Sequence, residues 1–384
     1  MAGARIVVLG GGFGGITGAL ELRRRLGPGH DVVLVERSPV FLMGLRKIWM
    51  ASGRGGRKEG ERPLEALRTR GIDVRCAEIT RIDVAHRTVH TAAGEVGYDY
   101  LLVALGAEPR PDLVPGFSDA VFNLYSPVDA ERLGRTMVSL TGGRVVVGVL
   151  GGPYKCPPAP YEAAMVFDDL FRRRGVRAQV DLQTFTPQPV SLPVVGAAGC
   201  AQVEGLLASK SIGFSASRRT VRLDGRTAVF ADGSRMEADV LIAIPPHRPP
   251  AVVVDSGLPR RGEWLDVDPQ TLRTPVEHVY AVGDAVEILL ANTMALPKAG
   301  VFAEAQARVA AAAIAAEIED RPLDVAFTGE GYCFIEVGGG LAAHVTGNFL
   351  ATPAPAVQVT APSEAAYAEK IAFEQSRLAS WFAA

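Results

Sequence analysis

The feature that most constrains the fold is a strand–turn–helix–strand pattern near the beginning of the chain. Residues 5–36 read RIVVLGGGFGGITGALELRRRLGPGHDVVLVE, an apolar run, a glycine turn, a helical segment and a second apolar run that ends in Glu36. Gly10, Gly12 and Gly15 have the spacing G-x-G-x-x-G, which permits a tight turn, a close approach to a pyrophosphate and packing of helix on strand. The pattern therefore predicts a Rossmann-like dinucleotide-binding domain.

Two further properties indicate how this domain would hold its ligand. The helix that follows the glycine turn directs its unpaired N–H groups at the phosphates. Glu36 lies about 20 residues beyond the turn, where a carboxylate accepts a hydrogen bond from a ribose hydroxyl. These residues alone do not distinguish FAD from NAD.

Two later motifs favour FAD. YDYLLVALGAEP, residues 98–109, and VYAVGDA, residues 279–285, resemble the middle and last motifs of FAD enzymes with two dinucleotide-binding domains, although Leu105 replaces the usual threonine. In that resemblance Asp284 binds the ribitol chain. The predicted cofactor-binding residues are Gly10, Gly12, Phe13, Gly14, Gly15, Glu36, Arg37, Ala104, Gly106, Gly283, Asp284 and Lys298.

A second strand–loop–helix pattern follows, but its loop is unsuited to a pyrophosphate. The loop reads LGGPYKCPPAP, residues 150–160. Its four prolines have no N–H to donate, and their fixed φ excludes the left-handed geometry that glycine supplies. The sequence thus predicts a second Rossmann-like domain without an NAD site.

The same loop carries Cys156 with Lys155 beside it and a helix N-terminus close behind, and both neighbours favour the nucleophilic thiolate. A buried, inert cysteine is the alternative. Cys333, in GYCFIEVGGGLAAHV, belongs to a later segment that could fold back over the flavin. Cys76 and Cys200 are interpreted as packing cysteines, and four scattered cysteines predict neither a disulfide framework nor a metal site.

KCPPAPYE and CFIEVG, together with PPHRPP, SGL, VDPQTLRT and LPKAGVFAE, resemble the sulfide:quinone oxidoreductase and flavocytochrome c sulfide dehydrogenase family. The resemblance implies that Cys156 and Cys333 flank the flavin as a disulfide or sulfur-bridged pair. It also implies that Lys298 lies over the pyrimidine edge of the flavin and stabilises its reduced anion, with an ordinary helix-start lysine as the alternative. His247, in PPHRPP, is expected to be a loop histidine without a catalytic role.

The chain departs from that family in two places. Many quinone-linked members have a third cysteine before the Lys-Cys motif, and this chain has none between residues 77 and 155. Flavocytochrome members attach FAD through a cysteine in the segment that is SPVFLMGLRK here, which contains none. We therefore expect FAD to be bound non-covalently, and the electron acceptor and the sulfur product stay open.

Composition and charge restrict the partners. The formal charge is −2, and charged residues make up 21% of the chain with both signs intermixed, which argues against nucleic acid as a partner. No signal sequence precedes the first strand, and no apolar stretch approaches the ~18 residues of a membrane span, so we expect a cytoplasmic protein with at most peripheral contact at the inner membrane face.

Residues 363–382 predict a terminal helix capped by Ser363. Its apolar stripe of Tyr367, Ile371, Leu378 and Phe382 is expected to pack against the rest of the protein.

These observations predict an α/β protein with two Rossmann-like domains, arranged as in glutathione reductase. The FAD-binding domain comprises 1–112 and 246–324, the second domain 113–245, and a small α+β segment with the terminal helix 325–384. The resemblance implies FAD-dependent oxidation of sulfide, or a related sulfane-sulfur species, to polysulfide or sulfur through Cys156 and Cys333. A quinone or a small redox protein would accept the electrons. An NAD(P)H-dependent flavin reductase and a non-catalytic FAD redox sensor are the alternatives, and the oligomeric state stays open.

Overall fold

The predicted strand–turn–helix–strand unit begins the fold in the computed structural model, which describes residues 3–383. The first part of the chain forms strands β1 to β10, which are Arg5–Leu9, Asp31–Glu36, Val40–Leu42, Glu61–Pro63, Asp73–Cys76, Ile79–Asp83, Thr88–Thr91, Gly94–Gly97, Tyr100–Val103 and Glu108–Pro109. Its helices α1 to α3 are Phe13–Leu26, Arg46–Ala51 and Arg57–Gly60.

The middle of the chain forms a second unit of the same kind. Its strands β11 to β18 are Phe122–Asn123, Gly143–Val149, Val180–Phe185, Gly213–Ser215, Thr220–Asp224, Thr227–Phe230, Arg235–Glu237 and Val240–Ile244. Its helices α4 to α6 are Pro127–Ser139, Ala159–Arg173 and Gly196–Ser209.

The chain then returns to the first unit and ends in a short α+β segment. The returning strands β19 to β22 are His247–Arg248, Arg260–Arg261, Trp264–Leu265 and Val279–Ala281, and the helices α7 and α8 are Ala251–Val254 and Gly300–Ile318. The final segment contains β23 to β25, which are Glu330–Gly338, Leu341–Asn348 and Ala356–Val359, and α9, which is Glu364–Phe382.

Two five-stranded parallel sheets confirm the predicted fold class. Their strand orders are β22-β9-β1-β2-β5 and β11-β18-β12-β13-β14. Helices cover both faces of such sheets, which explains why β1 and β12 are nearly continuous apolar runs. Each unit also carries a three-stranded antiparallel sheet, β6-β7-β8 in the first and β15-β16-β17 in the second.

The antiparallel pair β10 and β19 lies where the chain leaves the first unit and where it comes back. The residue limits given above for the domains stay a prediction.

The carboxyl ends of β1, β2, β9 and β22 meet at one edge of the first sheet, where ligands of open α/β sheets bind. Gly10 takes a φ of +102°, which only glycine adopts readily at this turn. A Cβ at Gly15 would lie 1.7 Å from the Gly10 carbonyl oxygen, so the third glycine of the motif is required for the turn and helix to pack. The glycine spacing therefore fixes the backbone around the predicted site.

The terminal helix α9 packs on its own protein, and its cap is confirmed because the Ser363 hydroxyl accepts a hydrogen bond from the Ala366 N–H. The predicted stripe is confirmed in part, because Leu378 is buried and Phe382 packs against the core. Of its four members only Leu378 is fully buried, and the other buried residues are Ala366, Lys370, Glu374 and Trp381. Burial of the two charged residues is possible because both form ion pairs with buried partners.

Among the helices of residues 3–383, none has the length and apolar character required to cross a bilayer.

Candidate active site

A cleft of about 460 Å³ opens at the carboxyl edge of the first sheet. The glycine turn lines one end of it, and the Cys156 loop and strand β23 line the other. The N-termini of three helices, α1, α5 and α8, also open onto the cleft. Because helix N-termini carry partial positive charge and unpaired N–H groups, this arrangement favours an anionic ligand.

The residues at the glycine end fit FAD. Glu36 accepts hydrogen bonds from the Gly11 N–H at 2.7 Å and the Ser38 N–H at 2.9 Å, and its carboxylate lines the cleft. A Cβ built on Gly12 meets no protein atom within 4 Å, so the glycine leaves open the space that a pyrophosphate would take. The other predicted residues that line the cleft are Gly10, Phe13, Gly14, Ala104, Gly106, Gly283 and Asp284.

Two predicted cofactor residues lie outside the cleft lining. Arg37 points to the surface, where its guanidinium donates to Glu108 at 2.8 Å, because an exposed acidic partner lies beside it. Gly15 contributes through packing against Gly10 and does not face the ligand. Gly15 therefore acts through packing, and the predicted contact of Arg37 with the cofactor stays a prediction.

Lys298 lines the predicted cleft, and its ammonium also has partners within the protein. The side chain lines the cleft, but its ammonium donates to the carbonyl oxygens of Asp284 at 2.8 Å and Val286 at 3.2 Å and lies 3.4 Å from the centre of the Trp264 ring. Burial lowers the pKa of Lys298 to about 8. Two carbonyls and an aromatic face engage the ammonium, so Lys298 ties this segment together, and its predicted interaction with the reduced flavin stays a prediction.

We expect Gly12→Val to remove FAD while leaving the protein folded. The added side chain meets open space in the protein itself, yet it would occupy the volume that the cofactor needs. The FAD content of the purified variant should fall to less than about a tenth of that of the wild type, since a blocked pyrophosphate site leaves phosphate charge unpaired. Visible absorbance and release of FAD by denaturation measure this loss.

Gly205→Val is the matched control, because Gly205 is exposed on α6 and a Cβ there also meets nothing within 4 Å. It should retain FAD. Wild-type FAD content in Gly12→Val would contradict the assignment of this turn.

The loop that carries Cys156 is held in a conformation that side chains rarely adopt. Cys156 has a φ of +52°. Its N–H donates to the Lys298 carbonyl at 2.7 Å, and the Tyr125 hydroxyl donates to the Lys155 carbonyl at 2.5 Å. A residue other than glycine in the left-handed conformation costs about 1–3 kcal/mol. Such a conformation persists only where neighbouring residues fix it, as is common at functional sites.

The two predicted cysteines meet in the wall of the cleft. Cys156 comes from the loop before α5 and Cys333 from β23, and both line the cleft as free cysteines. Interaction with Cys333 and burial raise the pKa of Cys156 well above its ordinary value. The expectation of a thiolate promoted by Lys155 was therefore wrong for the dithiol state, because the Lys155 ammonium turns away to donate to the Ala107 carbonyl at 3.1 Å.

A buried ion cluster lies directly behind the cysteines. The Lys370 ammonium donates to Glu162 at 2.5 Å and to Glu336 at 2.9 Å, and Glu336 also pairs with Arg54 and accepts from the Trp49 indole. Burial raises the pKa of Glu162, while Lys370 and Arg54 bring the pKa of Glu336 down to about 2 against the opposing effect of its burial. The cluster joins helix α5, strand β23 and helix α9, so it holds the elements of both cysteines together.

The interpretations of the remaining cysteines and of His247 have mixed outcomes. Cys200 is buried, as expected of a packing cysteine, whereas Cys76 is exposed at the end of β5, because that strand lies at the sheet edge. His247 is fully buried, and its Nδ1–H donates to the Pro245 carbonyl. Burial and the charge of Lys155 lower its pKa to about 3, and the expectation that it has no catalytic role stays a prediction.

Sequence reasoning missed several residues of the cleft. Lys47, Tyr125, Glu162, Lys370 and Phe373 all line it. Glu162 could have been noticed, because it is a carboxylate within the otherwise apolar run of α5. The others carry no local signal.

The family model for pyridine nucleotide-disulphide oxidoreductases matches residues 4–315. The chain belongs to that family. It is therefore an oxidoreductase, and family membership together with the cleft confirms FAD as its cofactor. Non-covalent attachment stays a prediction.

Individual relatives agree with the resemblance found in the motifs. The chain is 26% identical over 306 residues to the mitochondrial sulfide:quinone oxidoreductase of Dictyostelium discoideum, covering 76% of this chain and 67% of that protein. It is 27% identical over 340 residues to the sulfide-quinone reductase of Aquifex aeolicus, covering 83% and 77%.

The solved structure of the sulfide:quinone oxidoreductase from Aquifex aeolicus superimposes with a TM-score of 0.90 at 24% identity, over 99% of this chain and 91% of that chain. These matches confirm the similarity to sulfide:quinone oxidoreductases.

Proposed function

We propose that this protein oxidises sulfide, or a related sulfane-sulfur species, by two electrons. Cys156 and Cys333 form the redox pair, and a quinone or a small electron-transfer protein accepts the electrons that pass through FAD. The observation that carries the proposal is the meeting of these two cysteines, from segments 177 positions apart, in the wall of the cofactor cleft. The names of the relatives described above support the choice of substrate and acceptor.

The sulfur step uses only the cysteine pair and the substrate. Hydrosulfide attacks Cys156 in the oxidised, disulfide form of the pair, so a new S–S bond forms to Cys156 and the Cys156–Cys333 bond breaks. Its electron pair stays on Cys333 as a thiolate, and Cys156 carries a persulfide. The step needs no other oxidant, because the disulfide itself is reduced. The covalent persulfide divides the oxidation of sulfide into two easier steps.

FAD, when bound, supplies the two-electron acceptor for the reduced sulfur and passes the electrons to the final acceptor. On the Cys333 side, Tyr332, Phe334 and Phe373 line the cleft beside Lys370. An aromatic wall of this kind suits a flat, largely apolar ring such as a quinone. A quinone acceptor would entail peripheral contact with a membrane, which forms part of the proposal.

NADH should reduce the bound FAD poorly, whereas sulfide should reduce it rapidly. Pro157 and Pro158 remove two backbone donors from the loop where an NAD pyrophosphate would bind. Each missing donor costs about 1–3 kcal/mol, so we expect reduction by NADH to be about 100-fold slower than by sulfide, or slower still. Anaerobic mixing of the holoprotein with either reductant, followed at the visible flavin band, measures both rates.

Dithionite serves as the control that the flavin can be reduced in every sample. Rapid stoichiometric bleaching by NADH or NADPH would favour an NAD(P)H-dependent flavin reductase. If neither sulfide nor NADH bleached the flavin, a non-catalytic redox sensor would replace the proposal.

A further inference from the structure

The main chain around Cys156 is fixed by hydrogen bonds from other parts of the molecule. The Cys156 N–H donates to the Lys298 carbonyl at 2.7 Å, and the Cys156 carbonyl accepts the Ala159 N–H at 2.9 Å. The Tyr125 hydroxyl donates to the Lys155 carbonyl at 2.5 Å and lies 3.5 Å from the Cys156 carbonyl oxygen. Tyr125 therefore contacts the carbonyl groups on both sides of the Cys156 Cα.

These two carbonyl groups belong to the two peptide planes that meet at Cys156. The relative orientation of the planes is given by φ and ψ of this residue, because each peptide group is itself planar. A hydroxyl that contacts both carbonyl oxygens therefore helps to hold Cys156 at its φ of +52°, where residues other than glycine are uncommon. The direction of the Cα–Cβ bond follows from the same planes, so the hydroxyl also restricts where the thiol lies in the cleft.

Tyr125 itself is held by further contacts between β11 and α4. Its N–H donates to the side-chain oxygen of Asn123 at 2.9 Å, and the next residue, Ser126, caps α4. The ring of the fully buried His247 packs against the Tyr125 ring, with the centroids 4.8 Å apart and the planes at 86°. Burial raises the pKa of Tyr125 well above its ordinary value, so the hydroxyl keeps its proton and stays a donor.

We propose that Tyr125 is a positioning residue for the sulfur chemistry of Cys156. The assignment deepens the function proposed above and rests on it, because the redox pair is the process that the position of Cys156 serves. The hydroxyl takes no part in the making or breaking of bonds. It limits Cys156 to one arrangement, which raises the effective concentration of its sulfur atom toward Cys333 and lowers the entropy lost when the disulfide closes.

Equilibration with glutathione measures this effective concentration. The holoprotein, in a Cys76→Ser background that removes the exposed thiol, is incubated anaerobically in mixtures of reduced and oxidised glutathione. One glutathione disulfide takes two electrons and two protons from the two protein thiols, the Cys156–Cys333 bond forms, and two molecules of reduced glutathione are released. The equilibrium constant thus has the unit of a concentration. Acid quenching followed by mass spectrometry gives the oxidised fraction.

Tyr125→Phe should lower the effective concentration about tenfold, because the ring remains and only the donor to the loop carbonyls is lost. Tyr161→Phe is the matched control. The Tyr161 hydroxyl also donates to a main-chain carbonyl, that of Ser191 at 2.8 Å, but Tyr161 is buried on α5 and does not line the cleft. This control should lose a similar amount of stability toward urea and keep the effective concentration of the wild type.

An unchanged effective concentration in Tyr125→Phe would overturn the assignment. An equal fall in Tyr125→Phe and Tyr161→Phe would also overturn it, since the loss of any tyrosine hydrogen bond in the second unit would then have the same effect.

Hydrogen exchange of the Cys156 and Ala159 amides separates this assignment from the proposed function. A wild-type protein that forms no Cys156–Cys333 disulfide at any glutathione ratio would remove the redox pair of the proposed function. Faster exchange of these amides in Tyr125→Phe than in Tyr161→Phe would then still support the hold of Tyr125 on the loop, because exchange reports local opening. Equal exchange in the two variants would overturn it.

Discussion

Serine in place of either Cys156 or Cys333 is expected to abolish reduction of the bound FAD by sulfide while FAD remains bound. Serine keeps the approximate volume of cysteine, but its hydroxyl neither forms a disulfide nor ionises near neutral pH. The rate of flavin bleaching by sulfide should fall by about 10³-fold or more, the order of loss expected when a covalent nucleophile is removed. Anaerobic stopped-flow mixing with sulfide measures the rate, and visible absorbance measures the FAD content.

Cys76→Ser is the matched control. Cys76 is the exposed cysteine of β5 and does not line the cleft, so its loss should leave the rate of bleaching unchanged. A Cys333→Ser variant that is reduced by sulfide at the wild-type rate would remove the main support for the proposed sulfur step.

The domain architecture could be predicted because its signals are local. The glycine spacing specifies the turn with its positive φ at Gly10, and Glu36 ends the next strand at a fixed distance along the chain. The buried parallel strands are nearly continuous apolar runs, so they can be recognised without knowledge of their neighbours. For the same reason the prolines that follow β12 predict the loss of a second nucleotide site.

The chemistry around the cysteines could be predicted only in part. The motifs identified Cys156 and Cys333, but the pKa of Cys156 depends on Cys333 and burial, while its sequence neighbour Lys155 turns away. The ion cluster behind them joins Lys370 to Glu162 across 208 positions and Trp49 to Glu336 across 287. No periodic pattern connects positions so far apart, which also explains why the buried charged residues of α9 were not predicted.

Lys370→Met should destabilise the protein severely. Lys370 is almost fully buried and is the ion-pair partner of Glu162, whereas Glu336 retains Arg54 when the lysine is removed. A carboxylate left unpaired in the interior costs about 3–5 kcal/mol, so the free energy of unfolding should fall by about that amount. Equilibrium unfolding in urea, followed by far-ultraviolet circular dichroism, measures the change.

Lys210→Met is a control with the same chemical change. Lys210 lies 3.8 Å from the buried Asp168, but Asp168 retains Arg172 and Arg177, so this variant should lose no more than about 1 kcal/mol.

Removing the unpaired charge of Glu162 should restore most of the stability that Lys370→Met loses. In Lys370→Met/Glu162→Gln the buried carboxylate is replaced by a neutral amide of similar shape, so we expect the double variant to unfold at a higher urea concentration than Lys370→Met alone. The two changes share a contact, and their non-additivity measures the coupling between the lysine and the glutamate. A double variant that is less stable than the single one would show that packing of the Lys370 side chain, and not its charge, holds α9 to the cysteine-bearing elements.

The pH dependence of the free energy of unfolding tests independently whether the unpaired Glu162 carboxylate destabilises Lys370→Met. Burial already raises the pKa of Glu162 in the native protein, and the charge of Lys370 opposes that rise. Without the lysine, folded Glu162 would retain its proton at a pH where the unfolded chain has released it. The unfolded state then binds fewer protons than the native state, so the stability of Lys370→Met should fall as the pH rises above the ordinary glutamate pKa, and should recover at lower pH. In Lys370→Met/Glu162→Gln this dependence should disappear, since the group that titrates is no longer present.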